Sequence, residues 1–325
     1  MRRWARRQPY AQPPISHGSH PTTRYSVGVK AVIFLFLISL PAFADLDAAL
    51  NALQNGDYST ALKEFTPLAK QGNASAEFHL GIMYHEGQGI PKDYKEARKW
   101  FRMAADQGEP SAQFNLGLMC HQGQGDVKDY KEAMWWFRLA ADQGEPSAQF
   151  NLGVMYYEGQ GVPQDYKEAL HWYALAANQG NVSAQANLGV MYLKGQGVEQ
   201  DLAQAQRWFR DGADRGDAHA QYGLGLLYSQ GQGVNQDYNE AAHWFRLAAD
   251  QGDPSAQYDL GVLYLKGLGV PQDYVQAYFW LHLAASTGDA ESVGERDKVA
   301  KEMTGAQLAE AQRLAREWKP RSAGQ

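Results

Sequence analysis

"NVSAQANLGVMYLKGQGVEQDLAQAQRWFRDGADRG", residues 181–216, carries two apolar stripes at helical spacing, separated by a Gly-x-Gly bend. The stretch predicts a helix, a turn and a second helix. Sliding the chain against itself by 36 residues brings nearly everything from residue 73 to 288 into register. Six units begin at Asn73, Glu109, Glu145, Asn181, Asp217 and Asp253, and each repeats the same hairpin pattern. One hairpin cannot bury both stripes alone, so the units must stack.

The start and stop signals agree with this reading. Asn73, Asn181, Asp217 and Asp253 suit the N-cap of the first helix, Glu109 and Glu145 suit it less well, and Pro110, Pro146 and Pro254 stand at the first helical position. The second helix opens on Asp93, Asp129, Asp165, Asp201, Asp237 and Asp273, each followed three residues later by Glu or Gln, the pattern of a capping box. It closes on Gly108, Gly144, Gly180, Gly216, Gly252 and Gly288. Inside the first helix, Gly81, Gly117, Gly153, Gly189, Gly225 and Gly261 recur although a mid-helix glycine costs roughly 1 kcal/mol relative to alanine. Their recurrence predicts a neighbouring helix too close for a Cβ, and Ala97, Ala133, Ala169, Ala205, Ala241 and Ala277 are the expected facing residues. Trp100, Trp136, Trp172, Trp208, Trp244 and Trp280 recur in step and are expected as structural layers.

Outside the repeats, residues 45–72 contain "GDYSTALKEFTPLAKQG", a degenerate copy of the second-helix pattern, and are expected to form an N-terminal capping half-repeat. Residues 289–318 are expected to supply a C-terminal capping helix starting near Thr304, and residues 319–325 a frayed tail. Residues 1–44 have the order of a secretory signal peptide. Six basic residues and no acid precede "AVIFLFLISL", too short for the roughly 20 residues that span a bilayer, and Ala42 and Ala44 form a small-x-small cleavage site. A start at Val27 or Val29 would leave residues 1–26 outside the natural product. Cleavage after Ala44 would leave no membrane insertion and a chain with 24 basic and 36 acidic residues, a formal −12 that disfavours nucleic acid as a partner. With Cys120 as its one cysteine, a monomer has no disulfide and no multi-cysteine metal site.

The unit "SAQFNLGVMYYEGQGVPQDYKEALHWYALAANQG" resembles the Sel1-like repeat, a relative of the tetratricopeptide repeat with a longer inter-helix loop. The resemblance implies an all-α, right-handed superhelical solenoid of antiparallel helix pairs, with the first helices lining its concave face. Exported bacterial members of the family look like adaptors, regulators of signalling or envelope assembly, and factors that meet host proteins. A cysteine-rich branch ties each hairpin with a disulfide, and some of its members are linked to penicillin binding and weak hydrolysis. This chain lacks the cysteine pairs, so a weak hydrolase or binder of a cell-wall-related small molecule stands only as the alternative to an interaction scaffold in the periplasm or outside the cell.

Chemistry-bearing motifs are scarce. The bend "EGQGVPQDYKEA", residues 158–169, has glycines ahead of a helix start as phosphate-binding loops do, but no third glycine, no preceding strand, and six copies. It reads as a connector. His79 and His85 are six apart, not three or four, and no HExxH, CxxC, Ser-x-x-Lys or Gly-x-Ser-x-Gly occurs, so neither cofactor nor metal is expected. Cys120 takes a slot that is tyrosine in the other five units and reads as a small hydrophobe. The informative feature is a stripe on the first helix at spacings of four and three: Phe78, Ile82, His85; Phe114, Leu118, His121; Phe150, Val154, Tyr157; Ala186, Val190, Leu193; Tyr222, Leu226, Ser229; Tyr258, Val262, Leu265. Its third member is among the positions that diverge most between units, which fits contact with an outside partner. Phe78, His85, Phe114, His121, Phe150, Tyr157, Leu193, Tyr222 and Tyr258 are therefore the candidate partner-binding residues, although an aromatic stripe at this spacing also fits a core.

Overall fold

In the computed structural model, residues 45–321 are described and form sixteen α-helices with no strand among them. The readings made on residues 1–44 and 322–325 lie outside the described residues. The first hairpin is α1 (Leu46–Gln54) and α2 (Tyr58–Lys70). Six longer hairpins follow: α3 (Ala74–Glu86) with α4 (Tyr94–Asp106), α5 (Pro110–Gln122) with α6 (Tyr130–Asp142), α7 (Pro146–Glu158) with α8 (Tyr166–Asn178), α9 (Val182–Lys194) with α10 (Leu202–Ala213), α11 (Ala218–Gln230) with α12 (Tyr238–Asp250), and α13 (Pro254–Lys266) with α14 (Tyr274–Ala285). The last pair is α15 (Ala290–Glu302) and α16 (Gly305–Glu317). From α1 to α15 each helix packs on the next in chain order, and α16 packs back on α14, giving a right-handed solenoid. No described helix is long and apolar enough to cross a membrane.

Both ends differ from the sequence expectation in the same way. In place of a half-repeat stands a complete short hairpin at one end, and in place of a single capping helix stands a pair at the other. Ala290–Glu302 starts one repeat length after Pro254, but the connections that follow α1 and α15 are shorter than the repeat bend and carry no Gly-x-Gly signal. Thr304 does open α16, with both arms of a capping box to Gln307. The start of the expected frayed tail is held: the Arg321 N–H donates to the Asp250 carbonyl at 2.8 Å.

The cap chemistry explains the boundaries. Asn73, Asn181, Asp217 and Asp253 accept from the N3 amide at 2.8 to 2.9 Å, while Glu109 and Glu145, one methylene longer, reach only the N2 amide at 3.3 and 3.2 Å. At the second helices the Asp side chain accepts from the N2 and N3 amides, as Asp165 does from Lys167 and Glu168. The expected return arm of the capping box is not made there. The Asp165 N–H instead donates to the Tyr156 carbonyl at 2.9 Å, and the other five aspartates make the equivalent bond across the bend. At the end of α8, the Gly180 N–H donates to Ala177 and the Asn181 N–H to Ala176, a Schellman closure that needs the left-handed Gly180 (φ 88°).

The recurring mid-helix glycine does mark a close approach, but its partner is not alanine. A Cβ on Gly153 would fall 2.5 Å from the Tyr173 ring, and one on Gly117 would fall 2.7 Å from Phe137. Phe101, Phe209 and Phe245 cover Gly81, Gly189 and Gly225 in the same way, and Leu281 covers Gly261. The expected alanines are fully buried on the same face of the second helix, one turn earlier, so the sequence picks the right face and the wrong rung. A flat ring fills the space that the missing Cβ opens; a methyl group would leave a void.

Between units run two ladders of residues that recur every 36 positions but whose partners the repeat alone does not identify. Arg102, Arg138, Arg210 and Arg246 lie 4.7, 4.7, 4.8 and 5.0 Å over Trp136, Trp172, Trp244 and Trp280 of the next unit, contacts worth about 0.5–2 kcal/mol each. Ala174 breaks this series, and Trp208 is covered by its own neighbour Arg207 at 5.3 Å. All the repeated tryptophans except half-buried Trp100 are buried. The second ladder is of buried glutamines: Gln113 donates to the Ala105 carbonyl of the preceding unit at 3.2 Å and accepts from Gln143 at 2.8 Å. Gln149, Gln185, Gln221 and Gln257 each donate to the preceding unit in the same way.

Gly153→Ala should lower the chemical-denaturation midpoint, overpacking costing about 1–3 kcal/mol. Gly294→Ala, where a Cβ meets nothing within 4 Å, should raise it by up to about 1 kcal/mol through helix propensity. In the first unit the glutamine position holds Glu77, 1% exposed, whose pKa burial raises. A carboxyl whose folded pKa is raised binds more protons folded than unfolded, so its contribution is lost as pH rises through that pKa. Glu77→Gln should stabilise the protein by roughly 1 kcal/mol at pH 8 and by less at pH 4, as read from denaturation at the two pH values.

Candidate partner-binding groove

The stripe on the first helices rests on the glycine contact. The ring that covers each glycine also supports the stripe's first member: Phe78 meets Phe101 at 5.9 Å between centroids, Phe114 meets Phe137 at 5.8 Å, Phe150 meets Tyr173 at 5.8 Å and Tyr222 meets Phe245 at 5.6 Å. These stripe rings are half-buried, one side against the second helix and the other open. In the sixth unit Leu281 replaces the supporting ring, and Tyr258 instead donates its hydroxyl to Glu291 at 2.9 Å.

The third stripe position couples neighbouring units rather than standing free. His85 bonds Gln124 at 2.8 Å, His121 bonds Gln160 at 2.7 Å, and the Tyr157 hydroxyl donates to Gln196 at 3.2 Å, each glutamine lying in the bend of the following unit. The same three side chains pack on Tyr94, Tyr130 and Tyr166 of their own second helices. Leu193 stands at this position in the fourth unit without a polar atom to make the bond, and the Ser229 hydroxyl turns back to Leu226. Divergence here follows a change in how units couple, a cause that repeat comparison alone does not separate from partner contact.

Recesses open between successive first helices. One of about 160 Å³ is lined by Tyr157, Tyr173 and Asn187, and one of about 200 Å³ by Phe150, Ala186, Asn187 and His219. The second exists because Ala186 stands where other units have Phe or Tyr. Without a stripe ring of its own unit to lean on, Phe209 reaches both Gly189 and Gly223, and α9 and α11 approach more closely than any other pair of successive first helices. A third recess, of about 520 Å³, brings Tyr222 and Tyr258 together at the end of the groove.

The repeat pattern of glycine, ring and tryptophan matches a known family throughout its length. The Sel1 repeat matches residues 74–109, 110–145, 146–181, 182–217, 218–253 and 254–289. The chain is a Sel1 repeat protein. Among solved structures, a Sel1 repeat protein from Oxalobacter formigenes is 40% identical, with a TM-score of 0.68 over 75% of this chain and 100% of that one. The protective antigen c5321 present in uropathogenic Escherichia coli strains, which displays an SLR fold, is 28% identical with a TM-score of 0.42, over 84% of this chain and 90% of that one. A putative Sel1 repeat protein from Klebsiella pneumoniae is 23% identical with a TM-score of 0.42, over 62% of this chain and 99% of that one. No curated protein sequence matches the chain.

The remaining candidate groups of this Sel1 protein are engaged in packing. Each second-helix N-terminus beside the Gly-x-Gly bend is already occupied by its own aspartate, and a Cβ on Gly161 would lie 2.8 Å from the Tyr130 carbonyl of the preceding unit. The bend is therefore both a turn and a contact between units. His79 stacks on Phe65 at 5.1 Å. Cys120 is buried beside Arg98, and burial with the nearby Glu132 carboxylate pushes its thiol up to about 12, so it is held as the thiol. Arg98 in turn pairs with Asp126 and Glu132 at 2.7 Å. In the last two Sel1 units Tyr228 and Tyr264 hold the slot that is Cys120 in the second, and each accepts from an arginine of the unit before it, Arg210 and Arg246. Asn187 and Asp259, both facing recesses, went unnoticed in the sequence because each directly follows a stripe residue and lies just off the line that the four-and-three spacing traces.

Proposed function

We propose that this Sel1 repeat protein is an exported interaction scaffold that holds a peptide or protein partner against the face of its first helices. The observation that carries the reading is the row of half-buried rings, Phe150, Tyr157, Tyr222 and Tyr258, each bordering a recess between successive units. Rings held rigidly on one side and open on the other bury large area with little loss of side-chain entropy, the property of interface anchors. Extended repeat surfaces suit polypeptide segments, whose side chains can drop into successive recesses. The charged, apolar and cleavage-site order of residues 1–44 supports export.

The test is crosslinking and pull-down from bacterial envelope extracts with the full chain as bait. A specific partner should be enriched, and Phe114→Ala, Phe150→Ala and Tyr157→Ala together should lower its recovery by at least about ten-fold, each anchor being worth about 1 kcal/mol or more. Circular dichroism of the triple variant should still give the helical spectrum of the parent. Unchanged recovery in a folded triple variant, or no specific partner at all, would overturn the reading.

A further inference from the structure

The recess at the end of the groove differs in chemistry from the others. Asp259 occupies the position that is His79, Asn115, Asn151, Asn187 and Gly223 in the other units, so the sixth unit alone puts a carboxylate there. Gly294 of α15, one repeat length beyond Tyr258, offers no ring to continue the stripe, and a Cβ on it would meet nothing within 4 Å. The space left is about 520 Å³, walled by Tyr222 and Tyr258, with Asp259 and Glu291 on its lining. A third carboxylate, Asp289, is committed to capping α15 through Ser292. Among the described residues no basic side chain lines the cleft.

The charges there lack a counterpart. Burial raises the Asp259 carboxyl, and Asp253 and Glu291 push the same way against the Tyr222 hydroxyl. Burial likewise pushes the Tyr258 hydroxyl up to about 12, helped by its bond to Glu291 and by the Glu291, Glu295 and Asp259 charges. A planar cation in a recess walled by two tyrosines can stack on a ring and offer paired donors to the carboxylates, the combination that a guanidinium supplies.

We propose that this cleft receives an arginine side chain of a bound polypeptide segment, stacked between Tyr222 and Tyr258 and paired with Asp259 and Glu291. The proposal rests on the reading that the first-helix face holds polypeptide, and assigns charge selectivity to one end of it.

The experiment is an NMR titration of the isotope-labelled full chain with acetyl-Gly-Arg-Gly-amide, and with the same peptide carrying citrulline, which keeps the shape and removes the charge. The arginine peptide should shift the amide signals of residues 258–259 and 289–292 and bind at least about ten-fold more tightly than the citrulline peptide. Asp259→Asn and Glu291→Gln should each weaken the arginine peptide by roughly three- to ten-fold and leave the citrulline peptide unchanged. Glu291 is exposed, so its variant keeps the test valid if Asp259→Asn proves unstable. Equal binding of the two peptides, shifts confined to other parts of the chain, or displacement of the arginine peptide by millimolar calcium chloride would each overturn the proposal. If the captured envelope partner is lost on changing Phe114, Phe150 and Tyr157 while Glu291→Gln and the citrulline peptide make no difference, the cleft assignment fails and the scaffold reading stands.

Discussion

The structure depends on one contact, the face of an aromatic ring laid on a glycine in the middle of a helix. Gly81, Gly117, Gly153, Gly189 and Gly225 each give up helix propensity so that Phe101, Phe137, Tyr173, Phe209 or Phe245 can reach the backbone of the first helix. The loss is roughly 1 kcal/mol per glycine, and burying a large side chain returns about 1.5–3 kcal/mol. The contact fixes the spacing of the two helices in a hairpin. It also sets the ring at a tilt against the first stripe residue, which is how Phe78, Phe114, Phe150 and Tyr222 come to be half-buried rather than loose.

Hairpins of this kind would be unstable alone, and stacking is made specific by polar ties as well as apolar burial. The arginine-on-tryptophan series, the buried glutamines and the His85, His121 and Tyr157 bonds all run from one unit to the next. Where one tie fails the neighbours adjust together. Ala174 leaves Trp208 to Arg207, Ala186 lets Phe209 settle on Gly223, and α9 and α11 close up, so the fourth and fifth units depart from the pattern as a pair.

The hairpins, the caps, the left-handed glycines and the buried tryptophans were legible in the sequence because each depends on residues within one 36-residue unit. The glycine's partner was legible to the correct helix face only, since Ala97 and Phe101 lie one turn apart and periodicity does not choose between them. Contacts between units were not legible. Arg102 and Trp136, or His121 and Gln160, are 34 and 39 residues apart, a separation set by how hairpins stack and not by any helical repeat. The same limit applies to the groove: Phe150, Tyr157, Tyr222 and Tyr258 were identifiable as a stripe, whereas the recesses beside them arise from small residues elsewhere, Ala186 and Gly294. At both ends the connections are shorter than the repeat bend, which hid α1 and α15.

In the proposed function the rings held on glycine present one working face, formed by the first helices. Hydrogen–deuterium exchange of the full chain, alone and with the partner captured from envelope extracts, locates that face. Added protection should fall on peptides from α5, α7, α9, α11 and α13. Protection confined to the second helices α6, α8, α10 and α12, with the first helices unchanged, would contradict it.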